Sequence, residues 1–163
     1  MASALIALGG NVGDVRGTFR KAIAHICGMA QAALVARSSD YATPPWGEER
    51  QPPFVNACIE IDTRLDPHAL LFVLHRIEQK FGRDRDRERH WGPRTLDLDL
   101  LAYDDFRLNK PELTLPHPRL FERAFVLVPL AEIAPDRMIA GRRVREALER
   151  LSTDGIERLP DLA

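Results

Sequence analysis

The sequence predicts an α+β sandwich, ferredoxin-like, with a mostly antiparallel sheet packed between helices. Three observations lead there. Residues 54–62 and 95–101 each alternate apolar and polar side chains, the period-two signature of a half-buried strand. Apolar residues recur at helical spacing along 14–33, from Asp66 to Phe81 and along 119–133. The resulting order, β-α-β-β-α-β with appended helices, is that of a split βαβ sandwich.

The elements follow in chain order. Residues 4–8 (ALIAL) form an apolar run read as a central strand, which Gly9, Gly10 and Asn11 are expected to break. A glycine turn there brings backbone close to a ligand or is purely structural. It is neither a dinucleotide fingerprint nor a P-loop, because no GxGxxG is present and no GK[ST] follows. Phe19, Ile23, Ile26, Ala30 and Ala33 share a helical face, predicting a helix over 14–33. Residues 34–41 read as one strand, leading into Ala42-Thr43-Pro44-Pro45-Trp46-Gly47, where two prolines stiffen the chain and remove amide donors. Such a loop punctuates the fold, or offers carbonyls to a flat heterocycle.

In the 54–62 strand, Val55, Ala57, Ile59 and Ile61 take one face and Phe54, Asn56 and Cys58 the other. Phe54 can stack on a ring and Asn56 can read its edge with a donor and an acceptor. Asp66 and Pro67 are an N-cap and a first helical residue, and Leu70, Leu74, Ile77 and Phe81 form the core stripe that follows. Glu78 lies beside that stripe, within expected reach of a nucleotide hydroxyl. Residues 103–111 make a turn or hairpin, and 113–118 is a rigid extended segment presenting His117. Residues 119–133 read as one helix with Arg123 and Phe125 near its start and a kink at Pro129. Val144, Leu148 and Leu151 mark a last short helix, and the polar tail 152–163 is expected to be loosely attached. Without a repeat, low-complexity segment or linker, residues 1–163 read as a single domain.

The chemistry concentrates in GRDRDRERHWGPRTLDLDLLAYDD, from Gly82 onward. Leu96, Leu98 and Leu100 face a core, which sets Asp97 and Asp99 side by side on the opposite face, roughly 6–7 Å apart. Two such carboxylates repel unless cations sit between them. An arginine-rich loop, ending in Trp91-Gly92-Pro93-Arg94, leads directly into that strand. Carboxylates for Mg²⁺ and guanidinium forks for phosphate oxygens are the parts that phosphoryl transfer needs. A solvated loop with self-cancelling charge gives the same Arg/Asp alternation, so the pattern alone does not name a substrate.

The totals narrow the classes. A net charge of −1 excludes bulk attraction to nucleic acid or a membrane surface, so any phosphate affinity must be local. Cys27 and Cys58 are too few for a metal knuckle or a disulfide scaffold, and read as free thiols in a reducing compartment. No basic leader followed by a long apolar run is evident, and a cytoplasmic location is expected. Two other classes remain: another metal-dependent phospho- or nucleotidyltransferase on a DxD strand, and a ferredoxin-like RNA-binding module. The paired aspartates on the sheet face argue against the second.

Several stretches, in order along most of the chain, resemble the 6-hydroxymethyl-7,8-dihydropterin pyrophosphokinase family. They are ALGGN, YATPPWG, QPPFVNA, Arg76-Ile77-Glu78, WGPRTLDLDL and Leu115-Pro116-His117-Pro118-Arg119. WGPRTLDLD is the most specific of them. The resemblance implies transfer of pyrophosphate from ATP to a pterin alcohol in folate biosynthesis, with AMP released. It implies two Mg²⁺ ions on Asp97 and Asp99, with Arg83, Arg94, Asp97 and Asp99 as the catalytic set. Glu78, Arg83, Trp91, Arg94, Thr114, His117 and Arg123 would hold ATP. The reduced pterin would lie between Phe54 and Phe125 and be read by Thr43, Pro44, Trp46, Asn56 and Asp97. A monomer acting on these small molecules, with neither nucleic acid nor membrane as partner, is the corresponding expectation. The sequence departs from the family's usual pattern at Gly10, where serine is frequent, and at Trp46, where an aliphatic residue is.

Overall fold

The computed structural model describes residues 1–44, 50–82 and 94–162. Its main sheet contains β1 (Ala2–Gly10), β2 (Ala32–Arg37), β3 (Tyr41–Thr43), β4 (Phe54–Thr63), β5 (Asp97–Tyr103) and β10 (Glu157–Arg158). The order is β10-β3-β4-β1-β5, with β2 also on β4, and every pairing is antiparallel. With β2 and β3 counted as one interrupted strand, this is the ferredoxin-like arrangement that the sequence predicts. Two short hairpins stand apart, β6 (Leu108–Lys110) with β7 (Leu113–Leu115) and β8 (Met138–Ile139) with β9 (Arg142–Arg143).

Strand parity sorts the core into two layers. Ile6 and Leu8 of β1, Ala57, Ile59 and Ile61 of β4, and Leu98 and Leu100 of β5 pack on one face. There they meet Phe19, Ile23 and Ile26 of α1 (Val15–Met29) and Leu70, Leu74 and Ile77 of α2 (Pro67–Lys80). The opposite face is mostly covered as well. Leu5, Ala7, Cys58 and Leu101 pack there against Val126, Leu127 and Leu130 of α3 (Ala124–Ile133) and Val144 and Ala147 of α4 (Val144–Glu149). Burying apolar area on both sides is what stabilises a sheet of this size. Among the described residues, the apolar layer on this face reaches Cys58 on β4 and does not extend to Asn56 and Phe54 beyond it.

Tertiary pairing overrides several local expectations. β1 runs on through Gly9 and Gly10, because Gly9 pairs with both Asn56 and Asp97 and Gly10 with Val55. α1 stops at Met29 rather than at 33. Gln31 turns with φ 49° and Thr63 Oγ1 donates to the Ala30 carbonyl at 2.6 Å, so the next residues join β4 as β2. The strand expected over 34–41 is broken at Ser38–Asp40 into β2 and β3. The helix expected over 119–133 is a 3-10 turn (Leu120–Glu122) followed by α3, with Arg123 extended between them (φ −114°, ψ 101°). Asp66 caps α2 as predicted, its carboxylate accepting from the Ala69 amide at 2.9 Å. The tail is not loose: β10 pairs with β3, and the Leu159 amide donates to the Asp40 carbonyl at 2.9 Å.

The break at Ser38–Asp40 is held by charge. Asp40, with 4% of its side chain exposed, accepts from Arg16 Nε at 2.9 Å and from Arg37 Nη1 at 3.0 Å. Removing one member of such a group strands the others away from water. Asp40→Ala should therefore lower unfolding stability by about 3 kcal/mol, read as a fall in the urea midpoint at unchanged slope. A midpoint within experimental error of the parent would refute this role.

Candidate active site

The uncovered end of the second sheet face is where the predicted side chains meet. Gly9 is its floor. In register it lies between Asn56 on β4 and Asp97 on β5, and a Cβ added there would stand 2.9 Å from Asn56 Oδ1 and 3.9 Å from Asp97 Cβ. The absence of a side chain lets an amide and a carboxylate from opposite strands share one shallow depression. Asp99 follows on the same face, opposite Ala7. The sequence reading placed this glycine in a turn, either close to a ligand or purely structural, whereas pairing on both sides makes it the end of a strand.

Asn56 is oriented by its neighbour, its Nδ2 donating to Thr43 Oγ1 at 2.7 Å. Thr43 is itself buried and pairs with Phe54 across β3 and β4. Phe125, from the first turn of α3, lines a cavity with Thr43 and Pro44, so α3 carries an aromatic ring to the edge of this strand pair. The Arg123 guanidinium lies 5.6 Å from the centre of that ring, a cation–π contact.

Around the aspartates the charges are mixed. Arg94 Nη1 is 3.6 Å from Asp97 Oδ2. The Arg123 guanidinium is pushed below its ordinary pKa by burial, with Asp99 and Asp97 acting against that shift and Arg119 adding to it. His117 is anchored by its amide on the Leu101 carbonyl at 2.8 Å, and its Nδ1 accepts from the Arg119 amide at 3.1 Å. That bond leaves the proton of the neutral ring on Nε2. Burial, and then the positive charge of Arg123, push its pKa down to about 4, although Asp97 acts in the opposite sense. The ring is thus uncharged at neutral pH and presents one N–H donor.

Glu78 lies in the core beside β5. It is 1% exposed, and its Oε2 accepts the Leu98 amide at 2.8 Å. Leu98 stands between the two aspartates on the edge of β5 that does not face β1, so Glu78 supplies the hydrogen bond that a further strand would have supplied. In this structure it fixes the aspartate-bearing strand from the core side rather than opening toward the ligand face. Thr114 lies on β7 and directs its hydroxyl to the Lys110 carbonyl at 3.4 Å, within its own hairpin. Trp46, Arg83 and Trp91 lie outside the described residues.

Asn11 was legible only as part of a turn, yet it joins the chain entering β5 to the chain entering β4. Its backbone N–H donates to the Arg94 carbonyl at 2.9 Å, and its Oδ1 accepts the Arg94 amide at 2.8 Å. Its Nδ2 donates to Gln51 Oε1 at 2.9 Å and to the Pro52 carbonyl at 3.0 Å. One buried carboxamide thereby ties the start of the aspartate strand to the lead-in of β4.

Two neighbouring carboxylates on a rigid strand, beside guanidinium groups, suit a divalent cation that takes its remaining ligands from phosphate and water. Among the described residues no group of three or more His, Cys, Asp or Glu side chains gathers as a self-sufficient metal cage. A pair of carboxylates leaves most of a divalent cation's coordination to other oxygen donors. Among the described residues no helix is long and apolar enough to cross a membrane.

Comparison with known proteins adds an independent finding. Residues 5–135 match the sequence profile of 7,8-dihydro-6-hydroxymethylpterin-pyrophosphokinase (HPPK). The chain is 50% identical over 159 residues to the 2-amino-4-hydroxy-6-hydroxymethyldihydropteridine pyrophosphokinase of Methylorubrum extorquens, covering 98% of this chain and 99% of that one. It is 44% identical over 156 residues to the enzyme of the same name from Pseudomonas aeruginosa, with 95% of each covered. Among solved structures it is similar to HPPK-DHPS in complex with substrates, at a TM-score of 0.70 and 13% identity. It is likewise similar to wild-type HPPK-DHPS of Plasmodium falciparum with pteroate, at a TM-score of 0.71 and 13% identity. Each likeness covers 91% of this chain, which spans only 43% and 44% of those longer chains, and at such identity it speaks for the fold. On the extent of the profile match and the identity to its curated relatives, the chain belongs to the 7,8-dihydro-6-hydroxymethylpterin-pyrophosphokinase family.

Proposed function

We propose that the open end of the sheet is where this chain carries out its family's reaction. That reaction transfers pyrophosphate from ATP to the hydroxymethyl group of 6-hydroxymethyl-7,8-dihydropterin, releasing AMP, and it serves folate biosynthesis. The observation that carries the assignment is the meeting of Asn56 and Asp97 across Gly9, which sets a heterocycle reader beside a cation and phosphate site. Phe54 and Phe125 supply the aromatic faces for the pterin, and Thr43, Pro44, Asn56 and Asp97 read its edges. Trp46 completes that set by sequence alone.

On the nucleotide side, Arg94 and Arg123 neutralise phosphate oxygens, with Arg83 and Trp91 joining them by sequence alone. His117 donates from Nε2 without adding a charge that the aspartates would have to balance. Thr114 and Glu78 belong to the nucleotide set, Glu78 by fixing the strand at Leu98. Asp97 and Asp99 would hold two Mg²⁺ ions, which would supply charge neutralisation at the phosphates. The oxygen of the pterin alcohol attacks the β-phosphorus in line; its bond to that phosphorus forms as the bond to the α-phosphate oxygen breaks. AMP and one proton are released. The chain's contribution is orientation and charge, so no covalent intermediate on a side chain is required. All these residues come from one copy, and the catalytic unit is taken as a monomer.

Product identity tests the reaction. Incubation with MgATP and the reduced pterin should give AMP on anion-exchange chromatography, dependent on both the pterin and Mg²⁺. ADP would overturn the assignment in favour of ordinary phosphoryl transfer. Asp97→Ala should cut kcat by on the order of 10²–10³-fold, with circular dichroism reporting a folded chain. A near-parental rate would remove Asp97 from the metal site.

Gly9→Ala tests the floor. The new methyl must displace the Asn56 carboxamide, and kcat/KM for the pterin should drop by about 10–100-fold, with circular dichroism reporting a folded chain. An unchanged kcat/KM would mean that Asn56 does not read the substrate. His117 predicts a pH effect on stability. The unfolded chain takes up the imidazole proton near pH 6.5 and the folded chain only near pH 4, so stability contributed by the neutral ring is lost as pH falls through that window. His117→Gln should show a shallower fall in the urea midpoint between those pH values; an identical slope would contradict the burial of the neutral ring.

A further inference from the structure

The profile match ends at residue 135, and sequence reasoning assigned no work to the tail. The structure ties that tail to the pterin side of the site. Glu157 and Arg158 pair with Ala42 and Tyr41, so β3, only three residues long, is held between β4 and β10 instead of forming an open edge. Arg158 Nε donates to Ser39 Oγ at 2.8 Å, and Arg16 Nη2 donates to the Pro160 carbonyl at 2.6 Å. Just before β10, Gly155 turns with φ +81° and runs against Pro44. A Cβ on Gly155 would stand 2.9 Å from Pro44 Cγ. Between Ser152, Asp154 and Ile156 on one side and Thr43, Pro44 and Phe125 on the other lies a cavity of about 190 Å³.

We propose that residues 152–158 are a positioning wall for the reduced pterin, seating Pro44 and closing the outer side of the Thr43–Phe125 cavity. The inference rests on the assignment of Thr43, Pro44 and Phe125 to the pterin. The physical reason is the shortness of β3. A three-residue strand followed by proline has few hydrogen bonds with which to fix its last carbonyl, and the tail supplies both a second partner strand and a steric stop. The residues that share the cavity with the wall, Thr43, Pro44 and Phe125, belong to the pterin set, so the wall acts on that substrate.

The test uses the full-length chain and steady-state kinetics with 6-hydroxymethyl-7,8-dihydropterin and MgATP varied separately, following AMP release. Ile156→Ala removes packing from the wall without backbone strain and should raise the pterin KM about fivefold, with the MgATP KM moving less than about twofold. Gly155→Ala pushes on Pro44 and should act in the same direction; Ile156→Ala still decides the question if this strained variant does not fold. Phe125→Ala is the reference for the cavity itself. If Phe125→Ala raises the pterin KM and Ile156→Ala does not, the wall is refuted and the pterin assignment stands. If neither moves it, the pterin assignment of this cavity falls, and the wall with it. Equal rises in both KM values for Ile156→Ala would mean general loosening and would also overturn the proposal.

Discussion

The buried carboxamide of Asn11 is the constraint on which the arrangement of this site depends. An asparagine side chain has one acceptor and two donors, and the partners here leave no choice of orientation. A backbone amide such as that of Arg94 can only donate, so Oδ1 must face it and Nδ2 must face Gln51 and Pro52. With its own amide on the Arg94 carbonyl, the residue holds the chain entering β5 and the chain entering β4 at fixed positions relative to the end of β1. Asp97 and Phe54 each follow within three residues of those anchors. A shift of either loop would leave buried polar groups without partners, which costs far more than the loss of one exposed contact.

The second determinant is where the helical cover stops. α3 begins at Ala124, after an extended Arg123, and its apolar face reaches back over Cys58, whose Sγ lies 3.7 Å from the Val126 carbonyl. Among the described residues the apolar layer on β4 stops at that point, and the polar Asn56 and aromatic Phe54 follow on the same face. The same break that ends the cover brings Arg123 and Phe125 to the rim. The partly desolvated rim also explains why His117 stays neutral: burial there costs a charged ring more than the nearby Asp97 returns. On the far side of the sheet, Glu78 performs the complementary task, holding Leu98 so that the two flanking carboxylates keep their spacing.

Much of this was legible in the chain itself. Period-two alternation placed Asp97 with Asp99 and Phe54 with Asn56 on faces away from the main core, because a strand leaves no other choice for residues two apart. The N-cap at Asp66 and the stripe of Leu70, Leu74 and Ile77 needed only local rules. Motif similarity then named the family from WGPRTLDLD and its companions. The misreadings share one cause: residues whose local preference was weak were decided by distant partners. Gly9 and Gly10 look like a turn, but two neighbouring strands extend them; 34–41 looks continuous, but Arg16 and Arg37 fold it around Asp40; the tail looks solvated, but β3 lacks a second neighbour and takes it.

The sequence by itself determined the fold class, the family, and the identity of the side chains available for metal, phosphate and heterocycle, since these follow from spacing, composition and motif order along one chain. Only the tertiary structure decided which of those side chains face one another. Asn56 and Asp97 stand on either side of one glycine because β4 and β5 flank β1, and Glu78 meets Leu98 because the core-side helix runs beside the edge of β5 turned away from β1. Thr43 and Phe125 meet the tail because a short strand needed a second partner. Each of these contacts joins residues twenty or more positions apart, brought together by buried area and by hydrogen-bond satisfaction, and neither quantity is written in any local stretch of sequence.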